Sequence, residues 1–379
     1  SEQRESSVKQ MTGRVAGTPS RLEATVPAGV DPSRPVVATT GLTMGQRWQP
    51  EPAGSLKAEV KTDVFKVVIN SDGGTLSRLE LLQYLDQTNQ HGLVEWFKKL
   101  IGQPVPPNEV RPVTLMEDGS PTTRYVAQTG LLNADDKGPR FPTHLSPMRL
   151  KEGPLVLADG QDTLEVSFES EPQGGLKYVK TYVFKRGDYS IRVKHQVVNV
   201  SEQPRDAQLY LQLVRHGTVP GTTMFGTNTF TGPAFYTAEK KFHKVEFADI
   251  AKKKAEVPPP SDNGWVAMVQ HYFVSAWLLN VPGSEGVKRE FRLADLGNNL
   301  YSAAMVLNLP QLAPGATQTV ESNLFAGPEE EKKLEQVAPG LDLVKDYGIF
   351  AIISKPLYWL LDQLHGILGN WGWAIVALV

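Results

Sequence analysis

The sequence contains no cysteine among its 379 residues. This absence excludes disulfide bonds and any chemistry that needs a thiolate, but it leaves the compartment open because many periplasmic proteins also lack cysteine. The chain has no basic excess either, with a formal net charge of -2. A nucleic-acid-binding protein needs a positive surface that attracts phosphate groups, so nucleic acid is not an expected partner.

Motifs that bind nucleotides or catalytic metals are also missing. The sequence has no phosphate loop of the Gly-x4-Gly-Lys-Ser/Thr type, no dinucleotide glycine fingerprint and no His-Glu-x-x-His. Seven histidines are present, and none has metal-ligand spacing to another histidine or to a carboxylate cluster. His195 alternates with Ile191 and Val193, which favours a core or rim position over a catalytic base. We expect no catalytic residue, no metal and no cofactor.

Alternation of apolar and polar residues predicts a mainly β protein. Lys177 to Phe184 and Ser190 to Val200 form the clearest strand pair, joined by a hairpin loop that contains Gly187. Similar alternation and turn clusters recur along the chain, including the turn Asp72-Gly73-Gly74. Many strands at hairpin spacing predict a large antiparallel β-sandwich, followed by C-terminal helices.

Composition divides the chain into five predicted segments. Residues 1–55 are rich in Ser, Thr, Pro and Gly, a composition that predicts a flexible linker. The one short apolar run within them, Val36-Val37-Ala38, is compatible with an isolated strand. The chain starts at Ser1 rather than Met, so we expect a piece of a longer protein. The other segments are a β-sandwich domain over 56–327, a short helix and connector over 328–345, an amphipathic helix over 346–368 and a truncated membrane span over 369–379.

Two stretches of the sandwich domain have no clear strand pattern. Gln87–Pro107 and Lys252–Asn263 are predicted as long surface loops, the first with a short helix over Leu93–Ile101. A group of aromatic residues alternates along the later strands, which favours core packing over the lining of a sugar-binding cleft. The group consists of Trp265, Tyr272, Phe273 and Trp277.

The amphipathic segment carries a narrow polar strip on an otherwise apolar helix. At about 100° per residue, the strip covers roughly 100° of the helix and consists of Ser354, Lys355, Tyr358, Asp362 and His365. The other positions are mostly apolar and include Trp359. A wide apolar face with aromatic residues is typical of a helix in the headgroup region of a bilayer. A buried helix of a soluble domain is the alternative.

Tryptophans and an apolar run end the sequence. Trp371 and Trp373 suit the aromatic belt of a membrane interface, and Ala374 to Val379 suits the first part of a span. A complete span needs about 20 apolar residues, so we expect a truncated one. The predicted membrane-interface site comprises Ser354, Lys355, Tyr358, Trp359, Asp362, His365, Trp371 and Trp373.

Several short motifs resemble those of a known family. They are Asp346-Tyr347-Gly348, Lys355-Pro356-Leu357, Gly369-Asn370-Trp371-Gly372, Lys185-Arg186-Gly187-Asp188-Tyr189, Gly264-Trp265-Val266-Ala267-Met268 and Val337-Ala338-Pro339. Together they resemble the YidC insertases of the Oxa/Alb family, over the region from Leu56 to Val379. The resemblance implies a bacterial inner-membrane protein whose large periplasmic domain is a β-sandwich with sugar-binding-like topology.

The resemblance also implies a function and partners. Members of the family insert and fold membrane proteins, alone or beside the Sec translocon. It therefore implies nascent membrane proteins, the Sec components SecYEG and SecDF, and the lipid bilayer as partners. The family's hydrophilic insertion groove, with its arginine, corresponds to positions beyond Val379, so it maps to no residue of this chain.

Two other functions stay open on the sequence alone. The implied sandwich also suits a carbohydrate-binding or aldose-epimerase-like protein, which would need a histidine pair and a carboxylate in one cleft. A sandwich that serves only as a scaffold is the other possibility. Lys240-Lys241 and Lys252-Lys253-Lys254 fit solvated loops or a contact with anionic lipid.

Overall fold

A computed structural model describes residues 36–37, 55–86, 111–120, 122–135, 137–218, 230–270, 272–284, 286–344 and 351–378. The strands in these ranges are β1 (Val36–Val37), β2 (Lys57–Lys61), β3 (Phe65–Asn70), β4 (Thr75–Asp86), β5 (Arg111–Glu117), β6 (Tyr125–Asn133), β7 (Met148–Leu150), β8 (Thr163–Ser170), β9 (Leu176–Lys185), β10 (Ser190–Asn199), β11 (Ala207–His216), β12 (Gly232–Thr237), β13 (Lys241–Lys244), β14 (Glu256–Val257), β15 (Trp265–Gln270), β16 (Phe273–Leu278), β17 (Arg289–Gly297), β18 (Leu300–Asn308) and β19 (Thr317–Pro328).

Helices are short or confined to the C-terminal part of the described chain. They are α1 (Phe247–Ala251), α2 (Glu331–Val337), a 3-10 helix (Leu341–Val344), α3 (Ala351–Leu368) and α4 (Trp371–Leu378). Among the described residues, no helix combines the length and the apolar character needed to cross a bilayer.

Two antiparallel sheets make up the body of the protein. One has nine strands in the order β13-β12-β15-β16-β19-β10-β9-β8-β7, and the other has eight in the order β17-β18-β11-β6-β5-β4-β3-β2. Neighbouring strands run antiparallel throughout both sheets, as in the central pairs β10–β19 and β11–β18. The predicted large antiparallel sandwich is therefore confirmed.

The core lies between the two sheets. Because side chains alternate between faces along a strand, every second residue points inward. On β11 these residues include Leu209, Leu211 and Leu213, all fully buried. On the facing sheet, Trp277 of β16 reaches across and donates its indole N–H to the carbonyl oxygen of Gln212 at 3.0 Å. Alternation separates core from surface on strands such as β8 and β10, whereas β11 and β18 are buried along most of their length.

The strongest local predictions agree with the structure. The predicted pair becomes β9 and β10, and Gly187 in the loop between them has φ +72°, a backbone conformation that favours glycine. The turn predicted at Asp72-Gly73-Gly74 joins β3 to β4. His195 is fully buried on β10, which confirms its predicted place in the core.

Two predictions need correction. Lys252–Asn263 is not a plain surface loop, because it contains β14 and buries Val257 in the main core. Tyr272 is not a core residue. It occupies the β15–β16 turn with φ +76° and is exposed, because the turn removes it from the strand alternation.

Other predictions fall partly or wholly outside the described residues. The predicted loop Gln87–Pro107 and its helix lie outside them. Within the predicted linker, β1 is described and pairs antiparallel with β14, Val36 opposite Val257.

Candidate membrane-interface site

The connector that precedes the C-terminal helices is packed into the sandwich. Leu334 of α2 and both Leu341 and Val344 of the 3-10 helix are fully buried and join the main hydrophobic core. Each fully buried aliphatic side chain of this size contributes about 1.5–3 kcal/mol. The segment over residues 331–344 is therefore held against the sandwich.

Hydrogen bonds fix the same connector to β15 and to the loop that follows β16. The indole N–H of Trp265 donates to the carbonyl oxygen of Pro339 at 2.9 Å, and the amide of Asn280 donates to that of Val337 at 2.5 Å. Tyr236 stacks on Trp265 with ring centroids 5.7 Å apart. Gly340, at φ +72°, lies so close to the Tyr236 ring that any side chain there would collide with it.

A small polar cluster marks the start of α2. The Tyr84 hydroxyl donates to Glu330 at 2.7 Å, and Glu330 forms an ion pair with Lys333 at 2.8 Å. Burial opposes ionisation of Glu330, but hydrogen bonds from Lys333 and Tyr84 outweigh it and lower the pKa of Glu330. Burial and the contact with Glu330 raise the pKa of Tyr84. The cluster ties the end of β4 to the first turn of α2.

A tight turn connects α3 to α4. Gly369 has φ +65°, and its N–H donates to the carbonyl oxygen of His365 at 2.8 Å, which closes the last turn of α3. The side-chain oxygen of Asn370 accepts N–H groups from Gly372 at 2.7 Å and Trp373 at 3.4 Å. Asn370 is therefore the N-cap of α4. These two residues end one helix and begin the next.

The two helices expose a continuous series of large apolar side chains. Trp359 is 64% exposed, Ile367 80% and Trp373 66%. Asp362 and His365, which belong to the polar strip, are only half-buried rather than open. A helix adapted to water alone would expose its polar strip and bury its apolar face. This arrangement suits an apolar neighbour or a bilayer surface.

The predicted site residues are divided between these helices. Ser354, Lys355, Tyr358, Trp359, Asp362 and His365 lie in α3, whereas Trp371 and Trp373 lie in α4. The prediction omitted Leu360 and Ile367, which are also exposed. The helical period that places Trp359 on the apolar face also places Leu360 and Ile367 there. Their exposure could therefore have been predicted from the sequence.

The sequence profile described as the YidC periplasmic domain matches residues 105–360. The chain belongs to the YidC family. The predicted resemblance is thereby confirmed.

Relatives in this family are longer than the chain. Membrane protein insertase YidC of Cupriavidus necator is 40% identical over 374 residues, which cover 98% of this chain and 60% of the relative. Membrane protein insertase YidC of Burkholderia thailandensis is 44% identical over 317 residues, covering 84% of this chain and 52% of the relative. The chain thus spans between about half and three fifths of the curated relatives it matches.

Two solved structures match much of the chain at low identity. A putative aldose 1-epimerase from Escherichia coli has a TM-score of 0.41 at 10% identity, covering 73% of this chain and all of that one. A galactose mutarotase-like protein from Lactobacillus casei has a TM-score of 0.41 at 8% identity, covering 72% of this chain and all of that one. Similarity at this level carries no ligand or activity over to this YidC-family chain.

A cleft opens beside the connector of this YidC-family chain. It has a volume of about 610 Å³ and is lined mainly by the loop before β15 and the loop after β16, together with Tyr236, Trp265 and Pro339. Arg289 lines it too, but its three donor groups bind the carbonyl oxygens of Val287, Gly264 and Asp262. Within the described residues no histidine lines this cleft.

The buried histidines of the sandwich lie elsewhere in the core. His195 contacts the hydroxyl groups of Tyr178 at 2.7 Å and Ser322 at 2.8 Å, and burial lowers its pKa far below the ordinary value. His144 contacts the Tyr210 hydroxyl at 2.5 Å, and burial lowers its pKa to about 3. Both rings serve as neutral hydrogen-bonding groups in the core. In the part of the chain that the structure describes, no set of three potential ligands could hold a metal ion.

Proposed function

We propose that this chain is the periplasmic region of a bacterial inner-membrane insertase, and that its C-terminal helices lie on the outer face of that membrane. The observation that carries the proposal is the exposed apolar surface of α3 and α4, which includes Trp359, Ile367 and Trp373. Relatives that share two fifths of its residues are named membrane protein insertases. The proposed interface is the set predicted from the sequence, extended by Leu360 and Ile367.

The proposed domain division follows from the same arrangement. The sandwich over residues 56–327 stands in the periplasm, and the connector over 328–345 links it to an interfacial helix over 346–368 and to the first part of a span over 369–379. The proposed partners are the bilayer, nascent membrane proteins, and the Sec components SecYEG and SecDF.

Binding to vesicles tests the membrane part of the proposal. The purified chain is floated with vesicles that contain anionic phosphatidylglycerol, and the bound fraction is compared with that of the double variant Trp359→Asp, Ile367→Asp. Each buried apolar side chain contributes about 1.5–3 kcal/mol, so losing both should weaken binding by about 100-fold or more.

The matched control is Leu85→Asp, Val156→Asp, which removes two exposed apolar residues of the sandwich. This control should bind vesicles like the wild type. Equal binding of wild type and the α3 double variant would overturn the membrane-surface assignment.

Client insertion tests the insertase part. Cells depleted of their own insertase receive the full-length protein that contains this chain, and insertion of a small inner-membrane client is followed by protease protection. Restored insertion is expected, together with photocrosslinks from the sandwich to SecYEG or SecDF. Absence of any rescue by the full-length protein would contradict the insertase assignment, and saturable sugar binding with turnover would favour the epimerase-like alternative.

A further inference from the structure

Arg215 places a positive charge inside the sandwich. It is the penultimate residue of β11 and shares the inward face with Leu211 and Leu213. Only 7% of its surface is exposed. Its Nε and Nη1 atoms are fully covered and have no hydrogen-bond partner in the structure. A guanidinium keeps its charge in proteins, so two donor groups of a largely buried charge stay unsatisfied.

Two other buried cations of the sandwich are treated differently. Lys180 donates to the carbonyl oxygens of Gly73, Gly74 and Thr129 at 2.5, 3.4 and 3.4 Å. Arg289 places all three of its donor groups on carbonyl oxygens at 2.8–3.2 Å. The fold therefore surrounds two buried cations with backbone acceptors and leaves Arg215 without any.

The neighbours of Arg215 add further donors. Tyr125, the first residue of β6, is its direct partner across the strand pair, and the guanidinium carbon lies 5.2 Å from the Tyr125 ring centre. Ser275 of the opposite sheet lies beside the Tyr125 hydroxyl. The hydroxyl groups of Tyr125 and Ser275 are both buried and form no well-aligned hydrogen bond, although Ser275 lies close enough to lower the pKa of Tyr125 against the larger effect of burial. Burial raises the pKa of Tyr125 to about 12, so its hydroxyl stays protonated and can donate.

Throughout the described ranges, no carboxylate forms an ion pair with Arg215, and burial lowers the pKa of its guanidinium. A negatively charged group with several acceptor atoms would satisfy the guanidinium and both hydroxyls at once. Carboxylates and phosphates have the planar or forked oxygen pairs that a guanidinium binds with two parallel hydrogen bonds.

We propose that Arg215, Tyr125 and Ser275 form a binding site for a small oxyanion, a carboxylate or a phosphate group, at one end of the sandwich. Arg215 supplies two N–H donors through Nε and Nη1. The hydroxyl groups of Tyr125 and Ser275 bind the remaining oxygen lone pairs. The oxyanion belongs either to a free ion or to the terminal carboxylate of a peptide. The site stands independently of the membrane surface on α3 and α4.

Ligand-dependent stability of the purified chain tests the site. Urea unfolding is measured at fixed ionic strength while chloride is replaced by phosphate or by acetate. A ligand that binds the folded state alone raises the unfolding midpoint as its concentration exceeds the dissociation constant. We expect the unfolding midpoint of the wild type to rise with oxyanion concentration until it saturates. The midpoint of Arg215→Met, which removes the charge while keeping a long apolar side chain, should not rise.

Arg289→Met is the matched control, since it removes a buried arginine whose donors are already bound. It should keep the full oxyanion-dependent rise. General salt effects on protein hydration act on all three proteins alike and cancel in the comparison. An equal rise in Arg215→Met and wild type, or no rise in wild type, would refute the site.

A second variant covers the case in which Arg215→Met does not fold. Tyr125→Phe removes a single hydroxyl and should weaken phosphate or acetate binding by about 5- to 10-fold, measured by calorimetric titration. Unchanged affinity in this variant would refute the role of the hydroxyl. A short peptide with a free C-terminus is then compared with its amidated form. Tighter binding of the peptide with the free C-terminus identifies a peptide carboxylate as the ligand. If both peptides bind equally weakly while phosphate binds tightly, the ligand is a free ion.

Discussion

Trp265 donates its indole N–H to the carbonyl oxygen of Pro339 over 2.9 Å, which joins a central strand of the nine-stranded sheet to the connector. The same indole stacks on Tyr236, so one side chain contacts both the sheet and the segment that leads to the C-terminal helices. The contact adds to the burial of Leu341 and Val344 in holding the connector against the sandwich.

Replacing Trp265 by Phe should loosen the connector. The change keeps an aromatic ring against Tyr236 but removes the hydrogen bond, which should lower the free energy of unfolding by about 1–2 kcal/mol. Limited proteolysis should then cut within residues 331–344 faster than in the wild type. Trp277→Phe is the control, because it removes the comparable bond to Gln212 in the sheet interior. The anchoring role would be contradicted if Trp277→Phe also speeded cleavage within residues 331–344. It would be contradicted equally if Trp265→Phe were cleaved there no faster than the wild type.

Gly340→Ala should destabilise the connector through two separable effects. Its φ of +72° disfavours any side chain, and an added Cβ would overlap the Tyr236 ring. Gly315 has a similar φ of +74° with open space around it. Gly315→Ala should therefore show backbone strain alone, about 1 kcal/mol, and Gly340→Ala should lose about 2–3 kcal/mol. Urea unfolding of both variants measures the difference in their free energies of unfolding. Equal losses in the two variants would show that the Tyr236 ring moves aside without destabilising the protein.

The architecture was predictable because it depends on local period. Alternation from Lys177 to Phe184 and from Ser190 to Val200 sets which face is buried, and Gly187 marks the turn between the strands. Tertiary pairing was harder to predict. β14 is only two residues long, so it is too short to show an alternating pattern in the sequence. The burial of Val257 in the core holds it in place. A short segment of this kind becomes a strand only when a partner is present.

The exposed apolar surface of α3 and α4 was predictable in outline from its helical period. Trp359 and Trp373 are indeed exposed, as an interfacial helix requires, although their membrane contact stays a prediction. The buried cations were not predicted. Tyr178, Lys180 and Tyr182 alternate correctly for an inward face, but a lysine on such a face is ordinarily taken as solvent-facing. Its carbonyl acceptors in the turn Gly73-Gly74 are about a hundred residues away in sequence, so only the fold brings them together.

Lys180 should make the stability of the sandwich depend on pH above neutrality. Burial lowers the pKa of its ammonium group to about 7, against about 10.4 for an exposed lysine. Below pH 7 the folded and unfolded chains both hold the proton, so its contribution is constant. Between about pH 7 and pH 10 the unfolded chain holds one more proton, so the free energy of unfolding rises with pH by up to about 1.4 kcal/mol per unit.

The measurement is a comparison of slopes between variants. Lys180→Met removes the titrating group, so its free energy of unfolding should rise less steeply than that of the wild type from pH 7 to 9.5. Lys177→Met is the matched control on the same strand, where the lysine is partly exposed and ion-paired with Glu169 at 2.6 Å. It should keep the wild-type slope. Staying below pH 9.5 avoids ionisation of tyrosines in the unfolded chain, and parallel slopes for wild type and Lys180→Met would show that Lys180 keeps its charge in the core.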